Sequence, residues 1–153
     1  MTPITIRAAV REDLPGMLAL FGQPGIDDGE TLGPDEAERL YDRILSYPRY
    51  RFYVALSGGI VVGAFGLLIM DKLRHRGVPC GVVEDVAVHP SWQGRGIGRQ
   101  LMELAMKLCC EAGCYKLTLS SNLKSTGAHA FYEKLGFEKH GFSYLIRLPA
   151  KAP

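Results

Sequence analysis

Three glycines at alternate positions, Gly94, Gly96 and Gly98, lie in the string Gln93-Gly94-Arg95-Gly96-Ile97-Gly98. Glycine has no Cβ, so an anion can come close to the backbone N–H groups. Apolar residues then recur with helical spacing at Ile97, Leu101, Leu104, Ala105 and Leu108. The first N–H groups of a helix have no partner within it and carry the positive end of its dipole. Binding of a phosphate group is the chemistry this arrangement suits. The bland counterpart is a glycine-rich turn with no ligand. Two common nucleotide loops are excluded. No Lys-Ser or Lys-Thr follows the glycines as a P-loop requires, and Arg99 stands where the last glycine of a dinucleotide fingerprint would be.

The elements that must position this turn are legible on both sides. Residues 82–88 are β-branched and alternating, and stop at His89-Pro90, so the stretch reads strand, glycine turn, helix. Upstream, residues 4–8 alternate as a strand, and Arg11 or Asp13 opens a short helix through Leu14, Met17, Leu18 and Phe21. A loop rich in glycine and acid, residues 22–33, leads to a second helix beginning at Pro34-Asp35-Glu36. Residues 51–56 and 60–70 read as two strands joined by Ser57-Gly58-Gly59, a hairpin turn. The second is apolar enough to be covered on both faces. Gly113 closes the central helix. Residues 116–120 form a further strand, residues 128–135 a short helix, and residues 137–140 and 143–148 a last hairpin. The order is β-α-α-β-β-β-α-β-α-β-β, an α+β or α/β sandwich with a mixed central sheet flanked by helices.

The chain has 153 residues, which suggests one domain over residues 1–153. Its formal charge is only +2, so no electrostatic case exists for nucleic acid or a membrane surface. The start has no basic region followed by a long apolar run, and residues 60–70 are too short to span a bilayer. A cytoplasmic protein is expected. Cys80, Cys109, Cys110 and Cys114 lack the paired spacing of a zinc site, so no metal is expected and the thiols read as reduced and mostly buried.

The spaced strings VEDVAVHP, QGRGIG and FYEKLGF, with the element order, resemble the GNAT superfamily of acetyl-CoA-dependent N-acetyltransferases. Residues 83–88, Gly113-Cys114-Tyr115-Lys116 and Ile146-Arg147 are similar to its glucosamine-6-phosphate N-acetyltransferase branch, whereas residues 120–129 depart from it. The resemblance implies the GNAT (acyl-CoA N-acyltransferase) fold. It implies acetyl-CoA as co-substrate, held by Gln93, Gly94, Arg95, Gly96, Ile97, Gly98 and Arg99 at the pyrophosphate. Val86, Ala87 and Val88 would pair with the pantetheine amides like an added strand, and Asn122 would contact the same arm. The Val86 N–H would serve as an oxyanion donor. Tyr132 takes the family position of the general acid; its alternative is a core tyrosine. Homodimers are common in the family, and no residue of this chain shows one.

The acceptor amine must lose a proton. An amine of pKa about 10.4 is neutral at pH 7 only at a cost of about 4.6 kcal/mol. Glu84 and Asp85 are the candidate carboxylates for the amine, and they sit on opposite faces of their strand. Glu84, on the face of Val86 and Val88, is the preferred base, directly or through water; a β-bulge would flip those faces. Arg74 and Arg76 suit an anionic group on the substrate. The expected function is transfer of the acetyl group to a primary amine of a small molecule, an amino-sugar phosphate for example. A protein lysine or N-terminal acetyltransferase and a non-catalytic acyl-CoA sensor are the alternatives.

Overall fold

The computed structural model describes residues 2–151; Met1, Ala152 and Pro153, the ends of the expected domain, lie outside the described residues. It divides into two compact units, one ending at Leu119 and the other beginning at Ser120.

The first unit holds a sheet in the order β1-β2-β3-β4-β5. Strand β1 is Ile4–Ala8, β2 is Tyr50–Ser57, β3 is Ile60–Met70, β4 is Cys80–Val88 and β5 is Leu117–Thr118. The first four run antiparallel to their neighbours, and β5 pairs parallel to β4 at Gly81 and Val82 alone. Gly58 and Gly59, at φ 55° and 83°, make the β2–β3 turn that only glycine adopts without strain.

Helix α1, Leu14–Phe21, and helix α2, Pro34–Ser46, follow β1. Met17 and Leu20 of α1 pack with Phe52, Val54 and Leu56 of β2, Ala64 of β3 and Ala87 of β4. Helix α3, Ile97–Glu111, covers the opposite face. It lies close because two sheet positions are glycine. A Cβ on Gly63 would sit 3.0 Å from Ile97 and 3.1 Å from Leu101, and one on Gly81 would sit 2.3 Å from the Cys109 sulfur. These contacts fix the start of α3 beside the end of β4. As expected, β3 is covered on both faces: Ala64 and Phe65 are fully buried, and Val62 and Leu67 nearly so. Burying a side chain such as Phe65 stabilises by about 1.5–3 kcal/mol.

The register of β4 against β3 contains one irregularity. Glu84 stands opposite Gly66 and Ala87 opposite Ala64, so two residues of β4, Asp85 and Val86, face Phe65 alone. This is a β-bulge. Asp85 takes φ 53° within it, a left-handed conformation that costs a non-glycine residue about 1–2 kcal/mol.

The second unit holds helix α4, Thr126–Lys134. The hairpin expected over residues 137–140 and 143–148 is not formed; these residues carry no strand. Alternation in the sequence supplies strand propensity, but a strand exists only where a neighbour completes its ladder and packs its side chains. Here Phe142, Tyr144, Leu145, Ile146 and Leu148 are all strongly exposed.

Candidate functional site

The glycine turn is built by backbone geometry. Gly94 and Gly96 have φ 74° and 80°, which glycine alone takes without strain. Gly96 is the N-cap of α3, and its carbonyl accepts the first helical bond, from the Gln100 N–H at 3.1 Å. The N–H groups of Ile97, Gly98 and Arg99 therefore start the helix without intrahelical partners. A Cβ at Gly94 or Gly96 would meet nothing within 4 Å, so the space above the turn is open. Arg95 lies over the Trp92 ring at 4.9 Å, and Arg99 pairs with Glu103 at 2.9 Å. An open cradle of N–H groups at a helix start suits a phosphate.

Beside it, one edge of β4 is free. The His89 N–H donates to the Val62 carbonyl at 2.9 Å. In the antiparallel alternation, the pair Gly63–Val88 is then the non-bonded kind, and the N–H and C=O of Val88 point away from β3. Strand β5 reaches only Gly81 and Val82. From the bulge to Val88, the backbone thus offers hydrogen-bonding groups towards a gap. The Val88 carbonyl accepts from Gln93 Nε2 at 3.2 Å and from Gln23 Nε2 at 3.3 Å. Gln93 thus ties the turn to the strand end, a use that its place in the glycine string does not reveal.

The bulge corrects the expected facing of the acids. Residues directly opposite each other share a face. Glu84 therefore lies with Gly66, on the α1 side of the sheet that also carries Ala87, and not with Val88, whose partner Gly63 faces α3. The extra residue reverses the alternation between positions 84 and 88. Glu84 and Asp85 are both exposed. Burial, and then their negative charges, raise the pKa of the Tyr50 hydroxyl, so the three groups are neighbours. The surrounding protein and then the charge of Asp27 raise the Asp85 carboxyl above its ordinary value. Tyr50, Gln23 and Asp27 carry no motif; only the fold gathers them here.

Arg74 and Arg76 are exposed in the turn between β3 and β4, at the opposite end of β4 from the glycine turn. His75 stacks on Tyr115 at 4.4 Å, and Lys72 Nζ lies 3.1 Å from the Tyr115 hydroxyl. These contacts hold the loop. The thiols are free; Cys80 and Cys109 are buried and Cys110 is exposed, so the set is less buried than expected. Burial pushes the Cys109 thiol up to about 12, far from reactive.

In the second unit, Asn122 Oδ1 accepts from the Lys124 N–H at 2.9 Å, an Asx turn, and its carbonyl lies 2.7 Å from His129 Nε2. His129 therefore has a structural partner. Tyr132 meets Phe131 and Phe137 edge to face, with ring centres 5.0 and 5.6 Å apart. Burial raises its hydroxyl above the ordinary phenol value. Such a group keeps its proton at neutral pH, as an acid must.

Among the described residues no helix is long and apolar enough to cross a membrane. Residues 17–137 match the family model described as the Acetyltransferase (GNAT) family. The chain is similar to a glucosamine 6-phosphate N-acetyltransferase from Candida albicans, 34% identical over 121 residues, covering 78% of each chain. It is similar to another from Trypanosoma brucei brucei, 42% identical over 82 residues, and that match spans 54% of each chain, about half the relative's length. A solved structure, a putative acetyltransferase from Agrobacterium tumefaciens str. C58, is 31% identical with a TM-score of 0.88, covering 94% of this chain and 99% of that one.

Proposed function

The chain belongs to the acetyltransferase (GNAT) family, and from that premise we propose that it moves the acetyl group of acetyl-CoA directly to a primary amine of a small molecule. The observation that carries this reading is the junction of β4 and α3. An open glycine cradle at a helix start stands next to a strand edge whose backbone groups face a gap. The two suit the two halves of one ligand. The N–H groups of the turn would take the pyrophosphate, and the edge from Val86 to Val88 would take the pantetheine amides as an added strand. That holds the thioester beside the amine, which supplies proximity.

The chain's own groups do the rest. Glu84 is the base we propose for the incoming ammonium, through water, with Asp85 beside it as a second carboxylate for the same amine. Tyr132 is the acid for the departing sulfur. A free thiol has pKa about 8.5, below that of a phenol, and burial raises the Tyr132 hydroxyl further, so its proton would assist the departing sulfur only modestly. Asn122 would contact the pantetheine arm, its Oδ1 remaining in the turn with Lys124.

The acceptor we propose is an anionic small amine, an amino-sugar phosphate for example. Two features support this: the exposed guanidinium groups of Arg74 and Arg76, and relatives named for that activity. We read residues 1–153 as one cytoplasmic N-acetyltransferase domain, since the match over residues 17–137 takes in parts of both compact units. A homodimer is part of the same reading, on the family resemblance alone.

The test is release of free thiol from acetyl-CoA over a panel of small amines and peptides. Turnover with a small amine supports the reading. Turnover with peptides alone would replace it by protein acetylation, and binding without any turnover would leave a sensor.

A further inference from the structure

Phe52 of β2, Gly66 of β3 and Glu84 of β4 stand opposite one another in one row across the sheet. Residues so placed share a face. Gly66 is the member of that row without a side chain, and the gap is filled from β2. A Cβ on Gly66 would come 3.1 Å from Phe52 Cε1 and 3.4 Å from Tyr50 Cε2. Cε2 is bonded to the ring carbon that carries the hydroxyl. It is therefore the hydroxyl end of Tyr50 that crosses β3 on the way to Glu84.

Packing holds the ring in this crossing. Tyr50 pairs with Leu68 in the next row of the same face. Its ring centre lies 5.5 Å from that of Phe52, and 6.2 Å from that of Tyr47, on which it stacks. Phe52 is buried, Tyr50 is half-buried and Glu84 is exposed, so the hydroxyl stands at the rim of the core. Burial first, and then the negative charges of Asp85 and Glu84, raise that hydroxyl above the ordinary phenol value, so it keeps its proton. Tyr47 is the other ionisable group beside it, and Asp27 stands beside Asp85. Helix α1 brings Met17 and Leu20 to this face, and neither titrates. None of these groups is a cation. A protonated phenol donates and an ionised carboxylate only accepts.

We infer that Tyr50 is a positioning residue for the base: its hydroxyl, carried across β3 over Gly66, donates a hydrogen bond to the Glu84 carboxylate, directly or through one water, and holds it ionised and in one orientation. This rests on Glu84 as the base proposed above. The ammonium proton goes to Glu84, and the phenol keeps its own. A hydrogen bond to the charged form of an acid favours that form, and a bond from a phenol to a carboxylate is charge-assisted. An exposed glutamate otherwise samples several rotamers, whereas a base must stay within reach of the proton it takes.

The test is the pH profile of kcat for the parent, Tyr50→Phe, Glu84→Gln and the double variant. The acceptor is whichever of glucosamine 6-phosphate, aminoethylphosphonate and spermidine the parent acetylates fastest, held at saturation. Tyr50→Phe keeps the ring and its packing and removes only the hydroxyl. The acid limb of kcat reports the base in the complex. In Tyr50→Phe it should lie about one pH unit above the parent's, the equivalent of one hydrogen bond to a charge. Turnover on that limb then falls about tenfold and recovers at high pH, while acetyl-CoA affinity by calorimetry is unchanged. In the Glu84→Gln background the same substitution should change nothing. A Tyr50→Phe profile coincident with the parent's would overturn the inference. So would a uniform loss at every pH, or an equal loss with and without Glu84. A parent inactive towards all three amines, or a Glu84→Gln profile equal to the parent's, would instead overturn the reading beneath it.

Discussion

Glu84 and Ala87, three residues apart on β4, project from the same side of the sheet, because the bulge at Asp85 and Val86 adds one residue between them. Glu84 is thereby placed on the side of α1 and Tyr50, where the loop after α1 brings Asp27 towards Asp85. A base in that position lets ammonium substrates react below their own pKa. Without it, the rate follows the free amine alone, which increases tenfold for each pH unit below the amine's pKa. Glu84→Gln should therefore cost about 10²-fold at pH 7 and recover towards the parent as pH rises to the amine's pKa. A pH–rate profile matching that of the parent would remove Glu84 from the mechanism.

Gly96 closes the cradle at φ 80° as the N-cap of α3. A side chain there must adopt a left-handed conformation, at about 1–2 kcal/mol, and would project into the open space above the turn. Gly96→Val should abolish measurable acetyl-CoA binding while circular dichroism still reports a folded chain. Gly98→Val, in the first turn of the helix, should weaken binding severely as well. Calorimetric affinity equal to that of the parent in both would show that the phosphate sits elsewhere.

How much of this was legible in the sequence depends on where the information lies. The strand, glycine turn and α3 are encoded locally. Gly94 and Gly96 are needed for their φ values, and Ile97, Leu101 and Ala105 mark the buried stripe at helical spacing. The bulge is not local. Asp85 is no glycine, and its left-handed conformation follows from how β4 registers against β3. That single residue is why alternation assigned Glu84 to the side of Val88. Gln23 was silent too, since one glutamine in a loop of glycines and acids matches no pattern; its meaning is the reach to Val88, 65 positions away. Residues 143–148 err in the other direction: their alternation reads as strand, but ladder pairing is a tertiary matter.

Tyr132 is wedged between Phe131 and Phe137, and burial raises its hydroxyl. Tyr132→Phe keeps the ring and removes only the proton. Acid catalysis is worth about 10²–10⁴-fold, and a thiolate leaves readily enough to favour the lower end. Steady-state kinetics should show turnover down about 10²-fold, with acetyl-CoA affinity unchanged. Undiminished turnover would make Tyr132 a packing residue.

Asp13 anchors the entry to α1. Arg7 clamps it through two bonds of 2.6 and 3.0 Å, and the Val10 N–H adds a third at 2.8 Å. The Arg7 bond, opposed by burial and aided by Val10, holds the Asp13 carboxyl below the ordinary 3.8. A lowered folded-state value means stability that is fully present above the ordinary range and is lost as pH falls through the lowered value. Asp13→Asn should cost about 1–2 kcal/mol at pH 7. Urea unfolding should show the gap between variant and parent closing only below roughly pH 4. A gap independent of pH would mean that packing, not the charge, is what Asp13 supplies.

The acceptor is decided by which charges meet it. Arg74 and Arg76 lie exposed in the turn that opens β4, whereas Glu84 and Asp85 lie further along the same strand. Carboxylates at the bulge would draw the ammonium end of the substrate, and the guanidinium groups would suit a phosphate or carboxylate at its other end, where paired donors can clamp it. An electron-withdrawing ring or carboxylate also lowers the amine's pKa towards about 7.7–8.0, which eases deprotonation. Glucosamine 6-phosphate, amino acids, aminoalkylphosphonates and spermidine should therefore be compared in the parent and in the double variant Arg74→Ala/Arg76→Ala. The anionic acceptors should lead in the parent. The double variant should raise their KM about tenfold or more, as expected for loss of a charged hydrogen bond, and leave spermidine unaffected. A parent that prefers spermidine, or a double variant with the parent's KM for every anion, would show that the arginines are solvated and that the carboxylates alone choose the substrate.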